Sequence, residues 1–202
     1  MCGRFAQAQS REEYRRISWK RPNEILPGTR RLSGAITSRP GQKFYSSMNA
    51  MSNSISMPFT GAMRRWWDKP PLINARVETA ASSRMFKPLW EHGRAICFAD
   101  GWFEWKKEGN KKQPYFIQRK DDQPIFMAAI GRTPFERGDH AEGFLIVTAA
   151  ADRGLVDIHD RRPLVLTPEA AREWMRQDVT GAESAEIASD GAVSADDFTR
   201  TR

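Results

Sequence analysis

Cysteine stands second in this chain, in the opening Met1-Cys2-Gly3-Arg4-Phe5. Removal of Met1 would leave Cys2 with an α-amine and a thiol on adjacent carbons. A terminal α-amine has a pKa of about 7.7–8.0 and a free thiol about 8.5, so near neutral pH a fraction of each is available as a nucleophile. Such a 1,2-aminothiol is suited to aldehydes. The amine condenses with the carbonyl to an imine, the thiolate adds to the imine carbon, and a five-membered thiazolidine closes with little entropic cost. Gly3 keeps bulk away from that approach, and Arg4 offers a cation to hold an anion. The alternative for a lone cysteine near a terminus is a small buried hydrophobe or a bystander.

Three other polar side chains stand in apolar surroundings. Glu104 lies in Gly101-Trp102-Phe103-Glu104-Trp105, where aromatic neighbours would desolvate a carboxylate and raise its pKa toward an acid/base range. A solvated outward position on a strand is the competing reading. His159, in Val156-Asp157-Ile158-His159-Asp160-Arg161-Arg162-Pro163, titrates near neutrality and can shuttle protons, or it can be a surface histidine. The same surface reading serves His92 and His140, which receive no role. Asn74, in Leu72-Ile73-Asn74-Ala75-Arg76, is an amide that needs either a substrate or nearby backbone to satisfy it.

Arg4, Arg76, Arg84 and Arg161 recur in or near these segments and could grip phosphates through the guanidinium fork; each could equally be solvated surface. Trp66, Trp67 and Trp105 offer stacking faces for unpaired bases, although tryptophans in a small domain are mostly buried. Arginine with aromatic platforms fits single-stranded nucleic acid better than duplex readout, since nothing resembles a recognition-helix module.

Elements must hold these residues in place. A helix is expected over residues 9–16, capped by Ser10 with Glu13 three positions on. From Ile17 to Arg65 no period of 2 or 3.6 is sustained, and no element is placed there. Strands are expected over Leu72–Thr79 and Arg94–Trp105, the second with a turn or bulge at Asp100-Gly101. Lys106–Gln113 reads as a charged hairpin connection. Pro114–Gln118, Pro124–Ile130 and Gly143–Ala149 read as further strands, and Thr167-Pro168-Glu169 opens a helix to about Gln177. The fold expected is α+β, with a curled sheet or an open barrel-like core and flanking helices, in a single domain of 202 residues.

The net charge is +7, but eight Lys and Arg against one Glu in residues 17–65 supply an excess equal to the whole of it, so bulk basicity argues little for DNA. Cys2 and Cys97 lack a Cys-x-x-Cys pattern, which argues against a disulfide scaffold and against structural zinc; Cys97, in the run Ala95–Ala99, reads as core. No run is apolar for long enough to span a bilayer and no secretory leader is visible, so the expected location is the cytoplasm, at the nucleoid.

Four of these segments, Met1-Cys2-Gly3-Arg4-Phe5, Asn74-Ala75-Arg76-Val77-Glu78-Thr79, Gly101-Trp102-Phe103-Glu104-Trp105 and Ile158-His159-Asp160-Arg161-Arg162-Pro163, closely resemble the SRAP family of abasic-site processing proteins, also called SOS-response-associated peptidases. The resemblance covers residues 1–16 and 66 to about 198. It implies self-removal of Met1, then capture of a ring-opened abasic site in single-stranded DNA by Cys2 as a thiazolidine crosslink. It gives Glu104 and His159 the proton handling and Asn74 the positioning of the reacting end. Gly3, Arg4, Trp67, Arg76, Arg84, Trp105 and Arg161 are the DNA contacts it implies, with no cofactor, no metal, no membrane and a monomeric state. Residues 17–65 depart from the family pattern as though their reading frame were displaced, and the chain stops at Arg202, short of the closing segment usual in the family. Two competing functions stay open at this point: an N-terminal-nucleophile amidohydrolase using Cys2, and a non-catalytic single-strand binder or inactive remnant.

Overall fold

The computed structural model describes residues 4–7, 9, 13–14, 43–50, 53–60, 72–132, 143–152 and 154–202, with 43–50, 53–60 and 132 described by backbone alone. In chain order the strands and helices are β1 (Arg4–Ala6), β2 (Lys43–Ala50), β3 (Asn53–Thr60), β4 (Asn74–Arg76), α1 (Val77–Ala80), α2 (Lys87–His92), β5 (Arg94–Ala99), β6 (Gly101–Glu108), β7 (Lys111–Arg119), β8 (Ile125–Arg132), β9 (Gly143–Ala150), β10 (Arg161–Pro163), β11 (Val165–Leu166), α3 (Pro168–Trp174), α4 (Gly181–Asp190) and β12 (Phe198–Thr201). They form two sheets, which do not close into a barrel, with few helices, as the α+β expectation requires. The smaller sheet has the order β1-β6-β7-β12; the larger runs β10-β9-β8-β5-β2-β3, with β4 paired to β9 and β11 to β8.

In the larger sheet β5, β8 and β9 are buried on both faces. Ala95, Cys97 and Ala99 of β5 turn toward the smaller sheet with Ile125, Met127 and Ala129 of β8 and Phe144 and Ile146 of β9. Their alternate neighbours Ile96, Phe98, Phe126, Ala128, Ile130, Leu145 and Val147 turn to the helical side, against Trp90 and Trp174. Double burial is why these strands read as continuous apolar runs instead of alternating ones. Cys97 is fully buried, as expected, and burial pushes its thiol far up.

Several boundaries differ from the sequence reading. The expected strand Arg94–Trp105 is two strands in different sheets, joined by a bend at Asp100. Gly101 starts the second beneath Phe116, whose ring would lie 2.6 Å from an added Cβ. The expected strand Leu72–Thr79 pairs with β9 only over Asn74–Arg76; the chain then turns into α1, burying Ala80 and carrying Glu78 toward β10. Lys106–Gln113 is not a long connection. The β6–β7 ladder runs on to Glu108↔Lys111, leaving the loop Gly109-Asn110, with Gly109 at φ +61° in the left-handed region that tight hairpins use.

The helix opened by Thr167 has the expected cap, Thr167 accepting from the Ala170 N–H, but ends at Trp174. Glu13 and Tyr14 are helical, while Ser10 and most of the expected helix at 9–16 lie outside the described residues. Two eight-residue strands, β2 and β3, occupy the stretch where no period was visible; pairing with β5 places them, through Ser46↔Cys97 to Met48↔Ala95. Other elements not anticipated are β1, α2, α4 and β10–β12. Among the described residues no helix is long and apolar enough to cross a membrane.

Candidate functional site

Strand β6 sorts the candidate residues by face. Side chains alternate along a strand, so Trp102, Glu104 and Lys106 leave one side and Phe103 and Trp105 the other. Trp102 is fully buried and meets Phe198 edge-on at 5.2 Å, which marks its side as the core side. Glu104 is therefore an inward carboxyl, 3 % exposed, opposite Tyr115 of β7. Burial raises its pKa, and the nearby positive charge of His159 works in the opposite direction. The solvated reading of Glu104 is thus set aside by strand parity.

His159 follows the turn at residues 154–158 and is half-buried. Leu155 and Ile158 anchor that turn in the core, and the N–H groups of Ile158 and His159 both donate to the Leu155 carbonyl, at 3.0 and 3.2 Å. His159 Nδ1 stands 3.0 Å from the Arg161 N–H and 2.8 Å from Asp160 Oδ1. In the neutral ring the N–H of Arg161 binds Nδ1 and leaves the proton on Nε2. In the charged ring Nδ1–H turns to the Asp160 carboxylate. Nδ1 therefore has a partner whether it accepts or donates.

The β9 strand gathers the remaining candidates at its C-terminal end. Asn74 is half-buried at the start of β4 opposite Ile146, and Arg76 is exposed opposite Thr148. On the other side of β9, Arg161 pairs with Ala150. That side is open to β10 because β8 and β9 separate there: Leu164 donates to Val147 of β9 and accepts from Ala128 of β8, filling the fork. Arg161 reaches back across the strand. Its Nη1 and Nη2 bind the two Glu78 carboxylate oxygens at 2.6 and 2.9 Å, and Nη2 also donates to the Thr148 carbonyl at 2.6 Å. That ion pair holds the Glu78 carboxyl below its ordinary range.

Arg4 and Trp105 sit together on the outer face of the smaller sheet, with the guanidinium carbon 5.0 Å from the indole centre, a cation–π contact. Phe103 and Phe116 extend that face at 4.9 Å. Arg84 is exposed in the turn between α1 and α2. Cys2, Gly3 and Trp67 lie outside the described residues. The structure thus puts Glu104 within electrostatic range of His159, sets Asn74 and Arg76 along one edge of β9 and Arg161 on the other, and brings Arg4 to Trp105, but it puts Trp105 and Glu104 on opposite faces of one strand.

The supporting residues Glu78, Thr148, Asp152 and Arg162 carried no assigned role in the sequence reading. Glu78 had a signal, since it belongs to the Asn74–Thr79 segment. Asp152 had none: Arg162 Nη2 binds it at 3.0 Å while Nη1 donates to the Val193 carbonyl, a fixing of the turn that only the fold makes visible. Among the described residues no group of His, Cys, Asp and Glu is placed to hold a metal ion.

Comparison with known proteins places the whole chain among relatives. The pattern of the SOS response associated peptidase (SRAP) family matches residues 1–197. The chain is 65 % identical to the abasic site processing protein YedK of Escherichia coli over 199 residues, 98 % of this chain and 90 % of that protein. It is 38 % identical to the abasic site processing protein YMR114C of Saccharomyces cerevisiae over 117 residues, 57 % of this chain and 31 % of that one. A crystal structure of a phage-related protein from Bordetella bronchiseptica superimposes with a TM-score of 0.81 at 32 % identity, covering 99 % of this chain and 93 % of the other.

Proposed function

This chain belongs to the SOS response associated peptidase family, a family of abasic site processing proteins, and from that premise we propose that it captures abasic sites in single-stranded DNA on Cys2 after removing its own Met1. The observation that carries the reading is the inward carboxyl of Glu104 beside His159, next to the strand through which the chain begins. Arg4 pairs with Phe103, one position from Glu104. Consecutive Cα atoms are about 3.8 Å apart, so the Cα of Cys2 is tethered within about 7.6 Å of that of Arg4.

The reaction balances with the loss of one water. The amine adds to the C1 aldehyde of the ring-opened deoxyribose, giving a carbinolamine. Glu104, which burial favours in its protonated form, protonates the departing hydroxyl as the imine forms. The Cys2 thiolate then adds to the imine carbon, and the ring nitrogen keeps a proton. His159 accepts and returns protons in closure and reversal, and Asn74 orients the open sugar. Removal of Met1 consumes one water across the Met1–Cys2 peptide bond. Arg4, Arg76, Arg84 and Arg161 with Trp67 and Trp105 hold the flanking strand, and Gly3 leaves room for the sugar. Arg161 takes a phosphate only in competition with Glu78, which already fills its fork. In this reading the protein is a monomer acting on nucleoid DNA in the cytoplasm.

A labelled single-stranded oligonucleotide carrying one abasic site tests this directly. A slowly migrating band should survive denaturing electrophoresis, vanish with Cys2→Ala and with an undamaged oligonucleotide, and weigh the Met-less protein plus the DNA minus one water. No band, or a band indifferent to Cys2→Ala, would overturn the proposal. Turnover of small amides without a band would favour an N-terminal-nucleophile amidohydrolase instead.

A further inference from the structure

Asp157 lies two residues before His159 and is gripped from both β12 and β6. The Arg200 Nη1 of β12 donates to its two carboxylate oxygens at 2.6 and 2.8 Å, and to the Gly154 carbonyl of the same turn at 2.8 Å. The Lys106 Nζ of β6 stands 3.4 Å from Oδ2. These two cations hold the Asp157 carboxyl below its ordinary range, Arg200 contributing more.

Lys106 follows Glu104 by two residues and leaves β6 on the same face. The strand therefore carries Glu104 and Lys106, the turn carries His159 and Asp157, and one pair braces the other. We propose that Asp157 is a positioning residue of the site, setting the separation of His159 from Glu104. This rests on the proposed function, in which those two groups move the protons.

Magnitudes favour this role over a contribution to stability. Asp157, Lys106 and Arg200 all have side chains between a third and a half exposed, and such ion pairs add little to folding. The turn is in any case fixed by buried Leu155 and Ile158 and by the Arg162–Asp152 pair. A misplacement of about 1 Å at a reacting group, by contrast, can cost on the order of a hundredfold in rate. The brace is weak as a fastener and strong as a spacer.

Single-turnover crosslinking to the abasic oligonucleotide decides the matter, with DNA affinity, thermal melting and the imidazole resonance of His159 measured in parallel. The chain has three histidines, so His159→Gln identifies that resonance. Asp157→Asn should slow crosslinking by about ten- to a hundredfold and shift the imidazole signal, with DNA affinity and melting unchanged. Asp157→Glu should restore most of the rate. Arg200→Gln should also slow the reaction, and combined with Asp157→Asn the two losses should fall short of multiplying, since both remove the Arg200–Asp157 contact.

A wild-type rate in Asp157→Asn overturns the inference, and so does a rate loss that DNA affinity or melting accounts for. If the unaltered protein forms no crosslink, the proposed function falls, and the imidazole alone judges the brace: a shifted signal upholds it and an unshifted one overturns it.

Discussion

Two glutamates, 26 positions apart in the chain, have been given opposite electrostatics, and each leaves a distinct signature against pH. Glu104 is buried and its folded pKa is raised, so between its unfolded value, about 4.3, and its folded value the native state holds more protons than the unfolded one. Its contribution to stability therefore declines as pH rises through that window. Glu104→Gln should consequently gain stability relative to the unaltered protein as pH rises above the unfolded value, measured by denaturant midpoints, while crosslinking falls by about 10²–10⁴-fold throughout. Glu78 has its pKa lowered by Arg161, so its contribution is present above the unfolded value and is lost as pH falls through the folded one. Glu78→Gln should destabilise by about 1 kcal/mol or less at neutral pH, because Glu78 is half-exposed, and the deficit should vanish in acid. A deficit that grows in acid would sink that account. The aromatic neighbours of Glu104 were legible in the sequence, but not which face of β6 it takes; that parity comes from Trp102 packing on Phe198, almost a hundred residues away.

At the scale of elements, a buried arginine ties the helical layer together. Arg94 opens β5 and spends its five N–H groups on five carbonyls: Trp90 and Glu91 in α2, Trp174 at the end of α3, and Arg176 and Val179 beyond it. Helix C-termini expose carbonyls and a partial negative charge, so one guanidinium closes two helices. This explains why α3 stops at Trp174 although its sequence reads as helical to Gln177. Lysine has three donors, so Arg94→Lys leaves two carbonyls unanswered and Arg94→Ala leaves all five. Denaturant unfolding should rank the unaltered protein above Arg94→Lys and Arg94→Ala last, the alanine variant losing at least about 3 kcal/mol. Equal loss in the two variants would show that packing alone matters there. Caps written locally were readable, as at Thr167. The capping box at Thr180 and Glu183 is equally local, with both reciprocal bonds formed, but α4 has few apolar residues to mark a helix behind it. By contrast β2 has no clean local period and β3 only a short one, Ile55, Met57 and Phe59 set between serines and Pro58, so pairing with a partner strand defines them.

The whole molecule is organised around the larger sheet, whose two faces carry two cores. Trp102 belongs to the core between the sheets, while Trp90 and Trp174, edge-on at 5.0 Å, belong to the core beneath the helices. Neighbouring residues of the same strands feed both cores: in β5, Cys97 faces one and Ile96 and Phe98 the other. Losing either core strips β5, β8 and β9 of half their burial, so neither core survives alone. We propose that the chain is a single folding domain on this ground. The chain has seven tryptophans, so unfolding followed by fluorescence in a variant that keeps Trp102 alone, the other six being Phe, should coincide with unfolding in a variant that keeps Trp174 alone, once each is referred to its own far-ultraviolet dichroism. Crosslinking competence should disappear in the same transition, because β1, β6, the turn before His159 and β12 all hang on the inter-sheet core. Separated transitions would split the domain, and loss of crosslinking ahead of both tryptophan signals would mean that the site opens locally while the two cores stay folded.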